Sequence, residues 1–214
     1  MAQTAPCGVE DQFRYVSLSP DGRLLATGGW QDPAVRIWDA HTGALIKNLS
    51  LPEWLPQGAP FPLFEPNGAS LIIGCWSNYC IWPTNSWTPG PRRARADLAN
   101  MAVSHTGKLL AMPFGNTAIQ LRDAASGDIL ATLQSPLPNH LTALAFSPDD
   151  THLAVAHWGT RDLLVWDLRL LREDLKKMNV DWSAAPYQPA EPLAPRVLRV
   201  QLLTNSVALA ARHK

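Results

Sequence analysis

Phe13-Arg14-Tyr15-Val16-Ser17-Leu18-Ser19-Pro20-Asp21-Gly22 runs on through Leu24 to Gly28 and closes at Val35-Arg36-Ile37-Trp38-Asp39. Apolar runs of strand length flank a reversal: Pro presets φ at the second turn position, Asp bonds nearby amides, and Gly accepts a positive φ. Thr42-Gly43 then opens a last run to Leu49. The order returns near the other end, where Leu141, Leu144 and Phe146 precede Ser147-Pro148-Asp149-Asp150, then Leu153 to Ala156, then Leu163-Leu164-Val165-Trp166-Asp167. Between them stand Glu65-Pro66-Asn67-Gly68 with Cys80-Ile81-Trp82, and Ser104-His105-Thr106-Gly107 with Ile119-Gln120-Leu121-Arg122-Asp123. With Trp38, Trp82, Arg122 and Trp166 taken as equivalent, the spacings are 44, 40 and 44 residues. Ala40-His41-Thr42-Gly43 and Ala124-Ala125-Ser126-Gly127 match as the following turn. The turn residues are read as structural.

A period of this length, with four short strands per unit, resembles the WD-repeat β-propeller family over roughly residues 9 to 167. Copy two has Pro83 in place of the Asp, copy three has Arg122 in place of the Trp, and no copy opens with Gly-His. In the family that His joins a buried polar network with the loop Asp and the Trp; the resemblance implies that the network here is incomplete or replaced. The expected fold is all-β: a segment of four propeller blades at about 9–50, 58–88, 97–134 and 139–167, followed by a short helix and a Pro-rich tail. A blade cannot bury its faces alone, so stability comes from stacking. Propellers have four to eight blades, and the family most often has seven. Three assemblies are compatible: association with another copy, the last portion of a longer propeller, or a closed four-blade ring. The second is placed first, because the chain begins almost directly at a blade strand. Uncovered terminal blades also predict self-association, which would complete a ring.

From Leu168 the period changes. Leu168, Leu171, Leu175 and Met178 recur at intervals of three and four, with Arg169, Arg172, Glu173, Lys176 and Lys177 on other faces, which predicts an amphipathic helix within 168–182. It is expected to pack over the last blade. Residues 183–214 form a linker and tail, with Pro186, Pro189, Pro192 and Pro195 at the polyproline II period and a strand-like run at Arg196 to Leu203. The passage Trp166-Asp167-Leu168-Arg169, then Asp181-Trp182, then Ala185-Pro186-Tyr187, resembles the end of WD-repeat regions in large bacterial multidomain proteins, some of which carry a Ser/Thr kinase domain. The chain itself has no glycine-rich nucleotide loop, no His-Arg-Asp and no Asp-Phe-Gly.

The 214 residues are 46% hydrophobic, enough for a sizeable core. Eighteen basic residues balance eighteen acidic ones, so no net field favours nucleic acid as a partner. The local cluster Arg92, Arg93 and Arg95 is read as a solvated loop. Three cysteines, of which Cys75 and Cys80 lie in or beside expected strands, read as buried free thiols. Met1 to Gly8 lacks the pattern of a signal peptide, Cys7 is not a lipidation site, and no apolar run approaches the roughly 18 residues of a membrane helix. A cytoplasmic protein with no membrane partner is expected.

Catalytic motifs are missing: no Gly-x-Ser-x-Gly, phosphate loop or His-Glu-x-x-His occurs. His105, His140, His152 and His157 fall in different blades or turns, and Asp149-Asp150 reads as a turn rather than an acid pair. No enzyme activity, cofactor or metal is expected. Immediately after the second strand of each copy stands an aromatic: Trp30, Trp76, Phe114 and Trp158. In the resembling family the loop after this strand opens on the face that docks partners, so the four are candidates for a protein- or peptide-binding arc, with packing between blades as the competing reading. Trp38, Trp82 and Trp166, inside strands, are assigned to the core. The expected role is a non-catalytic protein-binding scaffold; the alternative is the regulatory or sensor part of a bacterial Ser/Thr kinase or other signalling protein.

Overall fold

The computed structural model describes residues 13–29, 34–53, 55, 59–94, 100–161, 163–179, 181–182 and 187. Trp30, Cys7, Arg95, the four tail prolines and the Arg196 to Leu203 run lie outside the described residues. Contacts divide the chain into Met1–Ser183 and Ala184–Lys214; everything below concerns the first unit.

The first sheet is an antiparallel meander of β1 (Phe13–Leu18), β2 (Leu24–Gly29), β3 (Ala34–Asp39) and β4 (Leu45–Ser50). The second has β5 (Phe61–Phe64), β6 (Ser70–Gly74), β7 (Asn78–Pro83) and β8 (Arg93–Ala94). The third has β9 (Ala102–Val103), β10 (Leu109–Phe114), β11 (Ala118–Asp123) and β12 (Ile129–Gln134). The fourth has three strands, β13 (Leu141–Phe146), β14 (His152–His157) and β15 (Leu163–Asp167), and runs directly into α1 (Leu168–Lys177). Together the sheets make a four-blade propeller.

Two boundaries differ from expectation. The fourth strand of the second sheet lies at Arg93–Ala94, beyond the expected end of that repeat at residue 88. It is two residues long and follows Pro89 and Pro91, so it carries no strand pattern of its own. Arg92 Nε donates to Asn78 Oδ1 at 2.7 Å, and the Arg93 guanidinium donates to the Ala124 and Ala125 carbonyls of the third sheet. Arg93 is thus an inter-blade tie, not a residue of a merely solvated loop. The helix, in turn, stops at Lys177, before the expected limit. Asp181 folds back to pair with the buried Arg172, and the Arg172 guanidinium lies 5.1 Å from the Trp182 ring centroid. α1 packs against β14 and β15.

One Asp position builds either a turn or a helix. Asp39 accepts from the His41 and Thr42 amides, Asp123 from those of Ala125 and Ser126, and Asp167 from those of Arg169 and Leu170. In the first two, Gly43 and Gly127 follow at φ 72° and 82° and reverse the chain. After Asp167 the corresponding residue is Leu171, which continues as helix, so the same carboxylate becomes an N-cap. Copy two lacks the Asp, yet the turn survives through its backbone. Trp87 N donates to Pro83 O at 2.8 Å, as Gly43 N does to Asp39 O, and Trp87 takes φ 55°. Its ring rests against the core between the first and second sheets, which offsets a conformation costly for a bulky residue.

The tryptophan network is replaced case by case. Trp38 Nε1 donates to Thr27 Oγ1 at 2.8 Å, across one strand. Trp82 Nε1 donates to Cys80 Sγ, two residues back on its own strand, and Arg122 uses Gln120 Oε1 at that same relative position. Cys75 and Cys80 are both buried, and burial pushes the Cys80 thiol up to about 11. Trp166 Nε1 is buried with no hydrogen-bond partner. The register gives the reason. Thr27 sits two residues beyond Leu25, the partner of Trp38; Val155 sits two beyond Leu153, the partner of Trp166, and has no hydroxyl. Trp82 is buried, whereas Trp38 and Trp166 are only half-buried; Trp38 lies on a face that no preceding sheet covers.

The sheets stack in chain order. Ala26, Val35 and Ile37 of the first meet Leu71, Ile73 and Trp82 of the second. Ile72 and Tyr79 meet Leu110 and Met112 of the third. Between the third and fourth sheets the tie is polar. Gly22, Gly68 and Gly107 fill the last position of the first turn at positive φ, but in copy four Asp150 stands there at φ 58°. Its buried carboxylate accepts from the His105 and Thr106 amides at 2.6 and 2.9 Å. Asp149, by contrast, only braces its own turn: bonds from Ser147 and Thr151 hold its carboxyl down to about 2.

Two outcomes follow. Val155→Thr should place an acceptor beside Trp166 Nε1 and raise stability by about 1 kcal/mol, read by chemical denaturation. Asp150→Gly removes a left-handed conformation worth roughly 1–2 kcal/mol but also two charge-assisted bonds of about 1.5–3 kcal/mol each. The loss wins, and thermal unfolding should register a net destabilisation of about 2 kcal/mol.

Candidate functional site

The described candidate aromatics, Trp76, Phe114 and Trp158, lie at hairpins joining the second and third strands of their sheets, so the topology carries them to one edge of the stack. Trp158 is 73% exposed, Trp76 47% and Phe114 45%. Trp30 lies outside the described residues. All three stand outside the buried core, Trp158 the furthest.

Register separates them. Leu25, Leu71, Leu110 and Leu153 are equivalent, since each pairs with the Trp or Arg of its repeat. Five residues on from them stand Trp30, Trp76, Gly115 and Trp158. Phe114 comes one residue too early; it is the last residue of β10, paired with Ala118, rather than a residue after the strand. A shift of one residue turns a side chain to the other face. Gly115, at φ 62°, holds the position where the other copies have Trp. The column is therefore a tryptophan column interrupted in the third blade, with Phe114 beside it.

The backbones beneath the rings are anchored. Trp158 N donates to His140 O at 2.7 Å, and Asn139 Nδ2 donates to Trp158 O at 3.3 Å. Cys75 N donates to Asn78 O across the Trp76-Ser77 loop at 2.8 Å. Next to Trp158, the buried His157 shares a 2.9 Å hydrogen bond between Nε2 and Ser135 Oγ, while its Nδ1 is buried with no hydrogen-bond partner. The arrangement offers rigidly held indole surface. Among the described residues no group of three or more His, Cys, Asp or Glu side chains could hold a metal ion, and no helix is long and apolar enough to cross a membrane. His105 lies by Asp150, and His152 lies by Asp167 at the end of β14 away from the hairpin that carries Trp158.

Truncation distinguishes the exposed column from the core. Trp82→Ala should cost about 3–5 kcal/mol, as large buried truncations do. Trp158→Ala should stay within about 0.5 kcal/mol of the parent. Thermal unfolding of the two variants side by side reads the difference, and equal large losses would place the column in the core.

The WD domain, G-beta repeat family matches residues 10–39 and 127–167, the first and last of the repeats. The eukaryotic translation initiation factor 3 subunit I of Emericella nidulans is 26% identical over 160 residues, 66% of this chain and 46% of that protein. The ribosome biogenesis protein ERB1 of Chaetomium thermophilum is 30% identical over 112 residues, 48% of this chain and 13% of that protein. The chain thus spans less than half the length of these relatives. Among solved structures, hydrazine synthase of Kuenenia stuttgartiensis superposes with a TM-score of 0.58 over 68% of this chain and 44% of that one, at 19% identity, a likeness of fold alone. The repeat matches fall on the first and last sheets, so WD repeats stand at both ends of a four-blade β-propeller whose sheets share one meander topology.

Proposed function

We propose that this protein is a non-catalytic scaffold that binds another protein or a peptide through the hairpin edge carrying Trp76, Phe114 and Trp158. The observation that carries the reading is the exposure of Trp76 and Trp158 at one register position on anchored backbone. Tryptophan exposed on a rigid support is the residue type most enriched among binding hot spots, because it buries a large area with little side-chain entropy to lose. Solvated indoles otherwise have no role in holding the blades. The family's general role as protein-interaction scaffolds supports the same reading. So do the relatives' names, a subunit of a translation initiation factor and a ribosome biogenesis protein, which belong to proteins of large assemblies.

The test compares the intact chain with a Trp76→Ala/Trp158→Ala double variant in quantitative affinity capture, with melting of both measured first. The expected result is an unchanged melting temperature and loss of the proteins that the parent retains. A variant that folds normally and captures the same proteins to the same extent would overturn the proposal.

A further inference from the structure

The stack has a direction. In each sheet one face carries the pairs Leu25–Trp38, Leu71–Trp82 and Leu153–Trp166, and in the second sheet this face packs back onto the first. The opposite face carries Val35 and Ile37 in the first sheet, Tyr79 and Ile81 in the second, and Ile119 and Leu121 in the third. In the first and second sheets it packs forward, onto the next sheet. The fourth sheet has Leu163 and Val165 at these forward positions.

Burial there depends on having a neighbour. Val35, Tyr79 and Ile119 are fully buried at one register position, and Ile37 and Leu121 at the other. Leu163 and Val165 are 72% and 56% exposed. The backward face shows the converse. Phe64 and Phe146 pair with Leu71 and Leu153 and are buried, whereas Leu18, which pairs with Leu25 in the same way, is 57% exposed. Val16, at the register of the buried Leu144, is 65% exposed. Among the described residues the chain thus keeps large apolar side chains at positions that an adjacent sheet buries elsewhere, on one forward face and one backward face, and these stand exposed. Such faces invite association.

We propose that two copies of this chain assemble head to tail, the Leu163–Val165 face of each packing on the Val16–Leu18 face of the other. Each face meets the kind of partner that its equivalents meet inside the chain, so the contact continues the internal blade interface. Two copies give eight blades, within the four to eight of closed propellers, whereas three give twelve. Closure at two covers both faces, and a heterologous contact that closes does not grow into a filament.

Light scattering on the intact chain over a wide concentration range should give twice the 23.5 kDa chain mass, without further growth. Leu18→Asp and Leu163→Asp should each be monomeric, since every contact in the closed pair then contains one charged face. Their equimolar mixture regains one intact pair of faces and should form a mixed dimer. Circular dichroism verifies folding of each variant, and Val16→Asp with Val165→Asp replaces the pair if either fails. A parent chain that stays monomeric would overturn the proposal, as would dimers formed by a single variant alone, which would mean like faces meeting like. Masses that keep rising with concentration would exclude closure at two copies.

Discussion

Every sheet in this protein is apolar on both faces, and the packing of one sheet on the next is the interaction on which the rest depends. A three- or four-stranded meander this small has no inside of its own. Leu71, Ile72 and Ile73 run consecutively and all are fully buried, which alternation in a one-faced sheet forbids. They are buried because the first sheet covers one side and the third covers the other. Stability is therefore a sum over interfaces between neighbours, and each interface is reinforced differently: by aliphatic packing between the first and second sheets, by Tyr79 and Arg93 between the second and third, by the Asp150 carboxylate between the third and fourth.

That division explains why the repeats tolerate such unequal sequences. Turn geometry is backbone geometry, and the same reversal is reached by Asp39 with Gly43 and by Pro83 with Trp87. What each substitution leaves unsatisfied is taken up locally. Thr27, Cys80 and Gln120 serve as three acceptors for a donor at one structural position, and the fourth copy leaves its Trp166 donor buried without one. The last repeat departs most. Its Asp167 caps a helix instead of a turn, so the chain leaves the sheet after three strands and folds α1 over it.

The hairpin edge that carries the exposed tryptophans follows from the same architecture. Hairpins at equivalent places in stacked meanders emerge together, and whatever residue type stands there becomes a column. The strands that lead into the hairpins of Trp76 and Trp158, β6 and β14, are hydrogen-bonded along both edges, so their pairing does not depend on those two side chains.

The period of turns and apolar runs determined by itself the class, the number of repeats, the strand order and the place of the helix, because these depend on local chemistry: φ at Gly and Pro, alternation, and capping by Asp. The aromatic column was also legible, as repeated residues after a repeated strand. Its interruption was not, since Phe114 and Gly115 exchange roles only through a hairpin register that pairing reveals. Arg93–Ala94 escaped notice as a strand because two residues have no periodicity and pair only when Asn78 and Tyr79 are brought alongside. Asp149 and Asp150 look alike as neighbours in a turn. Tertiary structure alone decided that one braces that turn and the other reaches the amides of the preceding blade, because a carboxylate's partners 45 residues away are set by stacking, not by spacing.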